Sequence, residues 1–245
     1  MIVEDLDHRV WAALRPVDAV TGRTLEAQVR GEGQHWLRNP SGLWVLNRLA
    51  APTPRAVEWQ AYEDAFLAPP NPAPWSLQVT LHTQGGQHLA RRFSLTLPRS
   101  AAGPQAPLFA PQDVPLYPAP ACSLALGWAL LRLSLTHNGR PAGGAVFSVH
   151  EGDRNSPVLG RGQTDARGEG VLAVSGQPYF MPSAGPEPFT RERTLNLHGV
   201  FEPAAGAALP DPDNLATRSG AGYLPFSTVV TLASGRSTVL ALDLP

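Results

Sequence analysis

A two-residue alternation of apolar and polar side chains is the feature of this sequence that most restricts its fold. It runs through ALLRLSLTH (129–137) and SLQVTLH (76–82), where every second residue is apolar. A period of two places alternate side chains on opposite faces of an extended strand. No long stretch repeats with the period of 3.6 that an amphipathic helix requires. The sequence therefore predicts β-strands along most of the chain and very little helix.

Glycine and Asn-Gly signals separate the alternating stretches and predict tight turns between them. Gly22 separates HRVWAALRPVD from RTLEAQVR, Gly85 and Gly86 separate SLQVTLH from HLARRFSLTLP, and Asn138–Gly139 follows the strand at 129–137. We also predict strands in GLWVLNR (42–48), AVFSVHE (145–151), GVLAVSG (170–176), FSTVVTLAS (226–234) and STVLALDLP (237–245). Only RAVEWQAYEDAF (55–66) is also compatible with a helix.

A proline-rich segment divides the chain. Residues 99–122, RSAAGPQAPLFAPQDVPLYPAPAC, cannot form a helix or a central strand. The chain has 245 residues, enough for two β-sandwiches. We therefore predict an all-β fold of two antiparallel β-sandwich domains in tandem, at 1–98 and 123–245, joined by a proline-rich connector at 99–122.

Charge and cysteine content exclude several classes of function. The formal net charge is −1, so bulk charge attracts neither nucleic acid nor anionic membranes. Cys122 is the single cysteine, which precludes a disulfide within the chain, and we expect it to be a small buried residue. The N-terminus, MIVEDLDHRV, does not resemble a secretory signal, and no apolar run is long enough to span a membrane. The expected location is cytoplasmic, with incorporation into a released particle as an open alternative.

The second half resembles carboxypeptidase-regulatory-like, prealbumin-like β-sandwich domains. The stretch LSLTHNGRPAGGAVFSVHEG…GRGQTDARGEGVLAV carries their two turn motifs, at Gly139, Pro141, Gly144 and Ala145, and at Thr164, Asp165 and Gly168. The resemblance covers about 45 residues and, faintly, the start of the first half. It implies a β-sandwich and indicates little about function.

The layout of the whole chain resembles accessory proteins of bacterial phage-tail-like contractile injection particles. The residues concerned are the V-D-x-x-T-G-R turn (17–23), the LPR exit (97–99), the PLYPAP connector (115–120) and TDARGE (164–169). In such particles, domains of this kind are structural or host-facing modules. The resemblance implies a non-enzymatic chain that binds other protein subunits.

Asp165 and Glu169, in QTDARGEGVLAV, are the strongest candidates for catalysis. As an acid–base pair they would suit glycoside hydrolysis. Alternatively, Asp165 binds the backbone of its own turn, Gly168 takes a positive φ, and Glu169 starts the next strand. We favour the second interpretation, because the strand alternation resumes at Val171 and no second carboxylate motif accompanies the first.

Three other polar clusters have a weaker chemical signal. HEGDRN (150–155) has no second histidine at the spacing of a zinc site and no complete calcium loop. DPDN (211–214) offers oxygen ligands for calcium but is also typical of a proline-containing turn. His82 and His88 flank a predicted turn and could hold a metal together. We expect loops and turns at these places, and hence no catalytic residues, no metal and no cofactor.

Aromatic residues supply the candidate binding contacts. Residues 177–226 form a long segment without a clear strand pattern, except TLNLHGVF (194–201), and we predict a long irregular insertion there. Its aromatic content favours packing, either on a partner subunit or on its own domain. Five of the six tryptophans precede residue 76, and Trp36 lies in a polar stretch. The predicted partner-binding residues are Tyr179, Phe180, Phe189, Phe201, Tyr223 and Trp36.

These features together predict a non-enzymatic structural or adaptor subunit of a multi-protein bacterial assembly, of the phage-tail-like contractile kind. It would bind its neighbours through sheet edges and aromatic loops, without nucleic acid or membrane insertion. Self-association is an open possibility. The alternative is a carbohydrate-binding or adhesion module that uses Trp36.

Overall fold

The computed structural model of the chain describes residues 10–31, 34–49, 61, 74–97, 111–123, 127–174, 192–205 and 209–245. These residues form an all-β fold of several sheets, almost all of them antiparallel, as the alternation predicted. The chain divides into two compact units. Unit 1 comprises residues 1–17, 24–82 and 92–114, and unit 2 comprises residues 18–23, 83–91 and 115–245.

The described residues of unit 1 form two sheets. The first has the strand order β3-β4-β1-β7, and the second has the order β2-β5-β6. The strands are β1 (Ala12–Asp18), β2 (Ala27–Arg30), β3 (Gln34–Arg38), β4 (Trp44–Leu49), β5 (Trp75–Thr83), β6 (Arg91–Leu97) and β7 (Gln112–Leu116). A few residues at the ends of these strands are counted with unit 2.

Alternation determines which side chains enter the core of unit 1. In β6 the burial alternates strictly, and Phe93, Leu95 and Leu97 are buried while the residues between them are exposed. Leu77, Val79 and Leu81 of β5 are buried in the same way. The two strands are neighbours in one sheet and are joined by a short turn with positive φ at Gly85 and Gly86. The predicted glycine hairpin is therefore confirmed.

The described residues of unit 2 form two four-stranded sheets. One has the strand order β11-β10-β13-β14, and the other has the order β12-β8-β15, with the short strand β9 beside β8. The strands are β8 (Ala129–His137), β9 (Arg140–Pro141), β10 (Val146–His150), β11 (Val158–Gln163), β12 (Glu169–Val174), β13 (Glu192–Phe201), β14 (Leu224–Ala233) and β15 (Ser237–Leu244). β15 pairs with β8 in parallel, whereas the other registered pairs are antiparallel.

Apolar side chains from both sheets of unit 2 form one core. Phe147 lies in it with 1 % of its surface exposed, together with Leu131, Leu133, Leu172 and Leu197. Gly162 and Gly170 lie beside this ring, and their lack of a side chain leaves the space that it occupies. A Cβ atom at Gly162 would come within 2.6 Å of the Phe147 Cζ atom. The turn predicted at Asn138–Gly139 joins β8 to β9, and positive φ at both residues gives it the type I′ geometry.

Unit 2 also includes two turn segments from the first part of the chain, residues 18–23 and 83–91. These two segments are part of unit 2 because their main chain forms hydrogen bonds with the main chain of residues 115–122. Ala19 N donates to Leu116 O at 3.0 Å, and Leu89 N donates to Tyr117 O at 2.8 Å. Part of the proline-rich connector is thus the edge strand β7, and the part that follows it is packed in unit 2.

Within residues 177–226, the strand character predicted for TLNLHGVF (194–201) is confirmed, but the described part is more regular than the irregular insertion that we predicted. The described part of this segment contains the ten-residue strand β13 in the middle of a sheet, as well as the start of β14. It also contains the short helix α1 (Pro212–Ala216), where we expected a turn. Among 55–66, the candidate helix, only residue 61 belongs to the described part of the chain.

Candidate functional site

The free edge of β15 is the surface that best matches the predicted mode of binding. In the described part of the chain, β15 pairs only with β8 and ends its sheet. Leu130 N donates to Arg236 O at 2.9 Å, and Asn138 N donates to Leu244 O at 3.4 Å. Because successive residues of a strand direct their main-chain groups to opposite sides, the even-numbered residues of β15 face β8. The odd-numbered residues direct their N–H and C=O groups to the free edge.

The side chains of β15 leave this edge accessible. Natural proteins usually protect an exposed edge with charged residues, proline or a bulge. Residues 237–242 have no charge and no proline, and the pairing with β8 is continuous over eight residues. Val239, in the middle, is 74 % exposed. The edge thus offers unpaired main-chain groups beside an exposed apolar side chain.

The only charge on β15 lies at its end. The hydroxyl group of Thr136 donates to Asp243 Oδ1 at 2.6 Å, so this carboxylate is held against β8. The central residues are therefore the accessible part of the edge. The sequence predicted STVLALDLP as a strand, but alternation alone does not distinguish an edge strand from a central one.

Asp165 and Glu169 form a turn, as we favoured, and their oxygens are bound within it. Asp165 Oδ1 accepts hydrogen bonds from the main-chain N–H groups of Arg167 at 2.8 Å and Glu169 at 3.1 Å. Gly168 has a φ of +75°. The Arg167 guanidinium contacts both carboxylates, at 3.1 Å and 2.8 Å. The pair therefore stabilises the entry to β12.

HEGDRN begins at the last residue of β10, His150, and its residues 151–155 belong to the loop between β10 and β11, as expected. Asp153 Oδ1 accepts from the N–H groups of Asn155 and Ser156 and from the Ser156 hydroxyl, at 3.0 to 3.3 Å. These bonds lower the pKa of the exposed Asp153 carboxyl. His150 is buried, and its Nδ1 atom lies 2.8 Å from Ser156 O. Asp153 and His150 thus bind the backbone of this loop.

DPDN begins a helix instead of forming a simple turn. Asp211 is the N-cap residue of α1, and Pro212 occupies the first helical position. The buried Arg91 donates to Asp211 Oδ1 at 3.1 Å, to Asp213 Oδ2 at 2.5 Å and to Pro115 O at 2.9 Å. Burial raises the pKa of Asp211, an effect that the Arg91 charge opposes. No local pattern predicted the role of this arginine, which lies 120 residues before Asp211.

Of the two histidines beside the glycine turn, His82 belongs to β5 and His88 lies beyond the turn, and the metal pair that we considered stays a prediction. His88 Nε2 lies 2.8 Å from Asp18 Oδ2. Cys122 is buried, and burial raises the pKa of its thiol. Within the described ranges, no group of three or more metal-ligating side chains is brought together.

The predicted aromatic contacts have different environments. Phe201 is 7 % exposed and belongs to the core of unit 2, where it is not available to a partner. Tyr223 is half-buried against a small cluster formed by Val146, Val200 and Leu215. Trp36 is half-buried on β3, and its indole N–H donates to Gln34 Oε1 at 2.9 Å. Tyr179, Phe180 and Phe189 lie outside the described residues, and their role stays a prediction.

No helix among the described residues has the length and apolar character needed to cross a membrane. In comparisons with known proteins, no family model and no curated protein matches this chain.

Proposed function

We propose that this protein is a non-enzymatic structural or adaptor subunit of a multi-protein bacterial assembly. The free edge of β15 carries the proposal. A neighbouring subunit would add an extended segment to this edge, so that its main chain pairs with the odd-numbered residues of β15. Val239 and Ala241 would then contact alternate side chains of the added strand.

The assembly that we propose is a phage-tail-like contractile particle. This part of the proposal rests on the resemblance of the chain's turn and connector motifs to accessory proteins of such particles. Strand addition suits a permanent assembly, because the sheet already fixes the position of every main-chain donor and acceptor. Little ordering is therefore needed on this side of the interface.

Substitution of Val239 tests the edge directly. Val239→Pro removes an N–H group that points away from β8, so the sheet of unit 2 loses no hydrogen bond while the edge loses a donor. Val239→Thr has nearly the same shape and keeps the N–H group, which makes it the matched control. Both variants should melt within a few degrees of the wild type, since the side chain is 74 % exposed.

The measurement is the quantity of sheath, tube or baseplate proteins that co-purify with the tagged chain from a native lysate of the source bacterium. We expect the Val239→Pro variant to recover at least about tenfold less than the wild type, and the Val239→Thr variant to recover a similar amount. Equal recovery by a folded Val239→Pro variant would exclude the edge. A wild-type chain that recovers no such protein but binds on a glycan array would favour the adhesion alternative.

A further inference from the structure

A second surface of unit 2 is a cleft on the outer face of the sheet β11-β10-β13-β14. Its volume is about 370 Å³, which is within the range of small-molecule sites. Helix α1 and the loop between β10 and β11 contribute to its walls. The polar and charged residues that line it are Ser148, His150, Arg154, Arg161, His198, Asp213 and Thr217.

The register of the sheet places three of these side chains in one row. Ser148 on β10 is directly opposite Arg161 on β11 and directly opposite His198 on β13. Side chains of directly opposed residues lie on the same face of a sheet, with Cβ atoms about 5 Å apart. A guanidinium, a hydroxyl and an imidazole group therefore lie side by side across three strands.

The Ser148 hydroxyl group already has a hydrogen-bond partner within the protein. His150 Nδ1 lies 2.8 Å from Ser156 O, and His150 Nε2 lies 2.8 Å from Ser148 Oγ. A carbonyl oxygen can only accept, so Nδ1 carries a hydrogen and donates to Ser156 O, while Nε2 is hydrogen-bonded to Ser148 Oγ. This pair, in which His150 is buried and Ser148 is half-buried, forms a fixed part of the cleft and leaves His198 and the arginines as the donors available to a ligand.

His198 has an incomplete set of contacts. Its Nε2 atom is buried and has no hydrogen-bond partner among the described residues. The ring packs edge-on against His150, with 5.5 Å between the centroids. Burial, and then the charges of His150 and Arg154, lower its pKa, whereas the nearby Asp153 opposes them. Buried polar atoms are nearly always paired, so a ligand acceptor beside this imidazole would complete its contacts.

The charges at the cleft favour a monoanion. Arg154 uses one donor on Ala216 O at 2.9 Å, and Arg161 contacts the Tyr117 hydroxyl. A guanidinium has five N–H donors, so each keeps others for a ligand. Asp213 also lines the cleft, but Arg91 binds its carboxylate at 2.5 Å. The cleft thus holds two positive charges and one negative charge that Arg91 partly neutralises. This excess of positive charge matches a ligand with a single negative charge better than a dianion.

We propose that this cleft binds an organic carboxylate. Arg161 and His198 would donate to the carboxylate, whose planar shape fits the guanidinium group. The apolar part of the ligand would lie against Val158, Val200 and Ala216. Such a carboxylate has two sources, a free small acid or the C-terminus of a peptide. This site is separate from the β15 edge, and its test does not depend on the assembly.

Titration calorimetry of the full chain with paired probes tests the proposal. Hexanoate and hexanamide differ in charge but hardly in shape, and N-acetyl-Ala-Val can be compared with its C-terminal amide. We expect at least one acid to bind about tenfold or more tightly than its amide. Tighter binding of hexanoate than of the peptide acid assigns a free small acid, and the reverse assigns a peptide C-terminus. Equal binding of acids and amides, or no binding of any probe, would overturn the proposal.

Two arginine variants connect the binding to this cleft. Arg161→Gln should weaken binding of the preferred acid about tenfold or more, whereas Arg236→Gln, at an exposed turn, should leave it within about twofold. Both should keep the melting temperature of the wild type, because both side chains are exposed. The acid should also raise the pKa of His198 in an NMR titration. Wild-type affinity in a folded Arg161→Gln variant would contradict the assignment.

Discussion

Gly168 adopts a backbone conformation, φ +75°, that other residues rarely take, and the carbonyl oxygen of Leu135 lies where its Cβ atom would be. The main-chain N–H of Leu135 donates to the carbonyl of Gly168 at 2.8 Å, which brings the two segments together. Gly139 has a similar φ, +71°, but no atom lies within 4 Å of its Cβ position. Gly139 is thus required only for its backbone conformation, whereas Gly168 is required both for its conformation and because a side chain has no space there.

Alanine substitutions at these two glycines should therefore differ in their effect on stability. Gly139→Ala should lower the free energy of unfolding by about 1 kcal/mol, the cost of a side chain at positive φ. Gly168→Ala adds a clash with a main-chain atom, and we expect a loss of about 2–4 kcal/mol. Urea denaturation followed by circular dichroism measures both. Equal losses would show that the turn at Asp165–Glu169 adapts to the extra methyl group.

At the scale of elements, α1 shows how a short helix is held by a distant residue. Five residues are too few for a helix that is stable by itself. Asp211 caps its N-terminus and also binds Arg91, whose side chain is only 6 % exposed. Asp213 binds the same guanidinium but is 52 % exposed. The two aspartates therefore differ in burial and in their contact with the helix end.

This difference predicts unequal effects of removing the two carboxylates. Asp211→Ala removes the cap and a partly buried partner of Arg91, and should lower the free energy of unfolding by about 2–3 kcal/mol. Asp213→Ala removes a solvent-screened partner and should lower it by about 1 kcal/mol or less. Chemical denaturation at neutral pH measures both values. A loss at Asp213 as large as that at Asp211 would show that the ion pair, and not the cap, holds the helix.

Sequence patterns predicted those elements whose burial follows a simple period. β8 has the predicted bounds, and β15 was recognised as a strand. β3 was missed because most of its side chains are exposed, and β11 because its two glycines weaken the strand signal. The free edge and the Arg161–Ser148–His198 row depend on which strands become neighbours. That pairing follows from the packing of the whole unit and leaves no local signal.

At the scale of the whole molecule, the two units are interleaved along the chain. The backbone passes between them five times, at the boundaries after residues 17, 23, 82, 91 and 114. β1, β5, β6 and β7 each begin in one unit and end in the other. When such a strand loses its partners in one unit, the residues at its other end, which belong to the second unit, should lose pairing as well. The units should therefore unfold together, unlike two domains joined by a single linker.

The positions of the tryptophans and the cysteine allow the joint unfolding of the two units to be measured in the unmodified protein. Five of the six tryptophans lie in unit 1, so fluorescence reports mainly on that unit. Cys122 is buried in unit 2, and burial raises the pKa of its thiol, so it should react with a thiol reagent only after that unit opens. We expect the fluorescence midpoint in urea to coincide with the midpoint for pulsed labelling of Cys122. The Gly168→Ala substitution, in unit 2, should lower both midpoints equally. If it lowers only the labelling midpoint, the units unfold independently and the shared strands do not couple them.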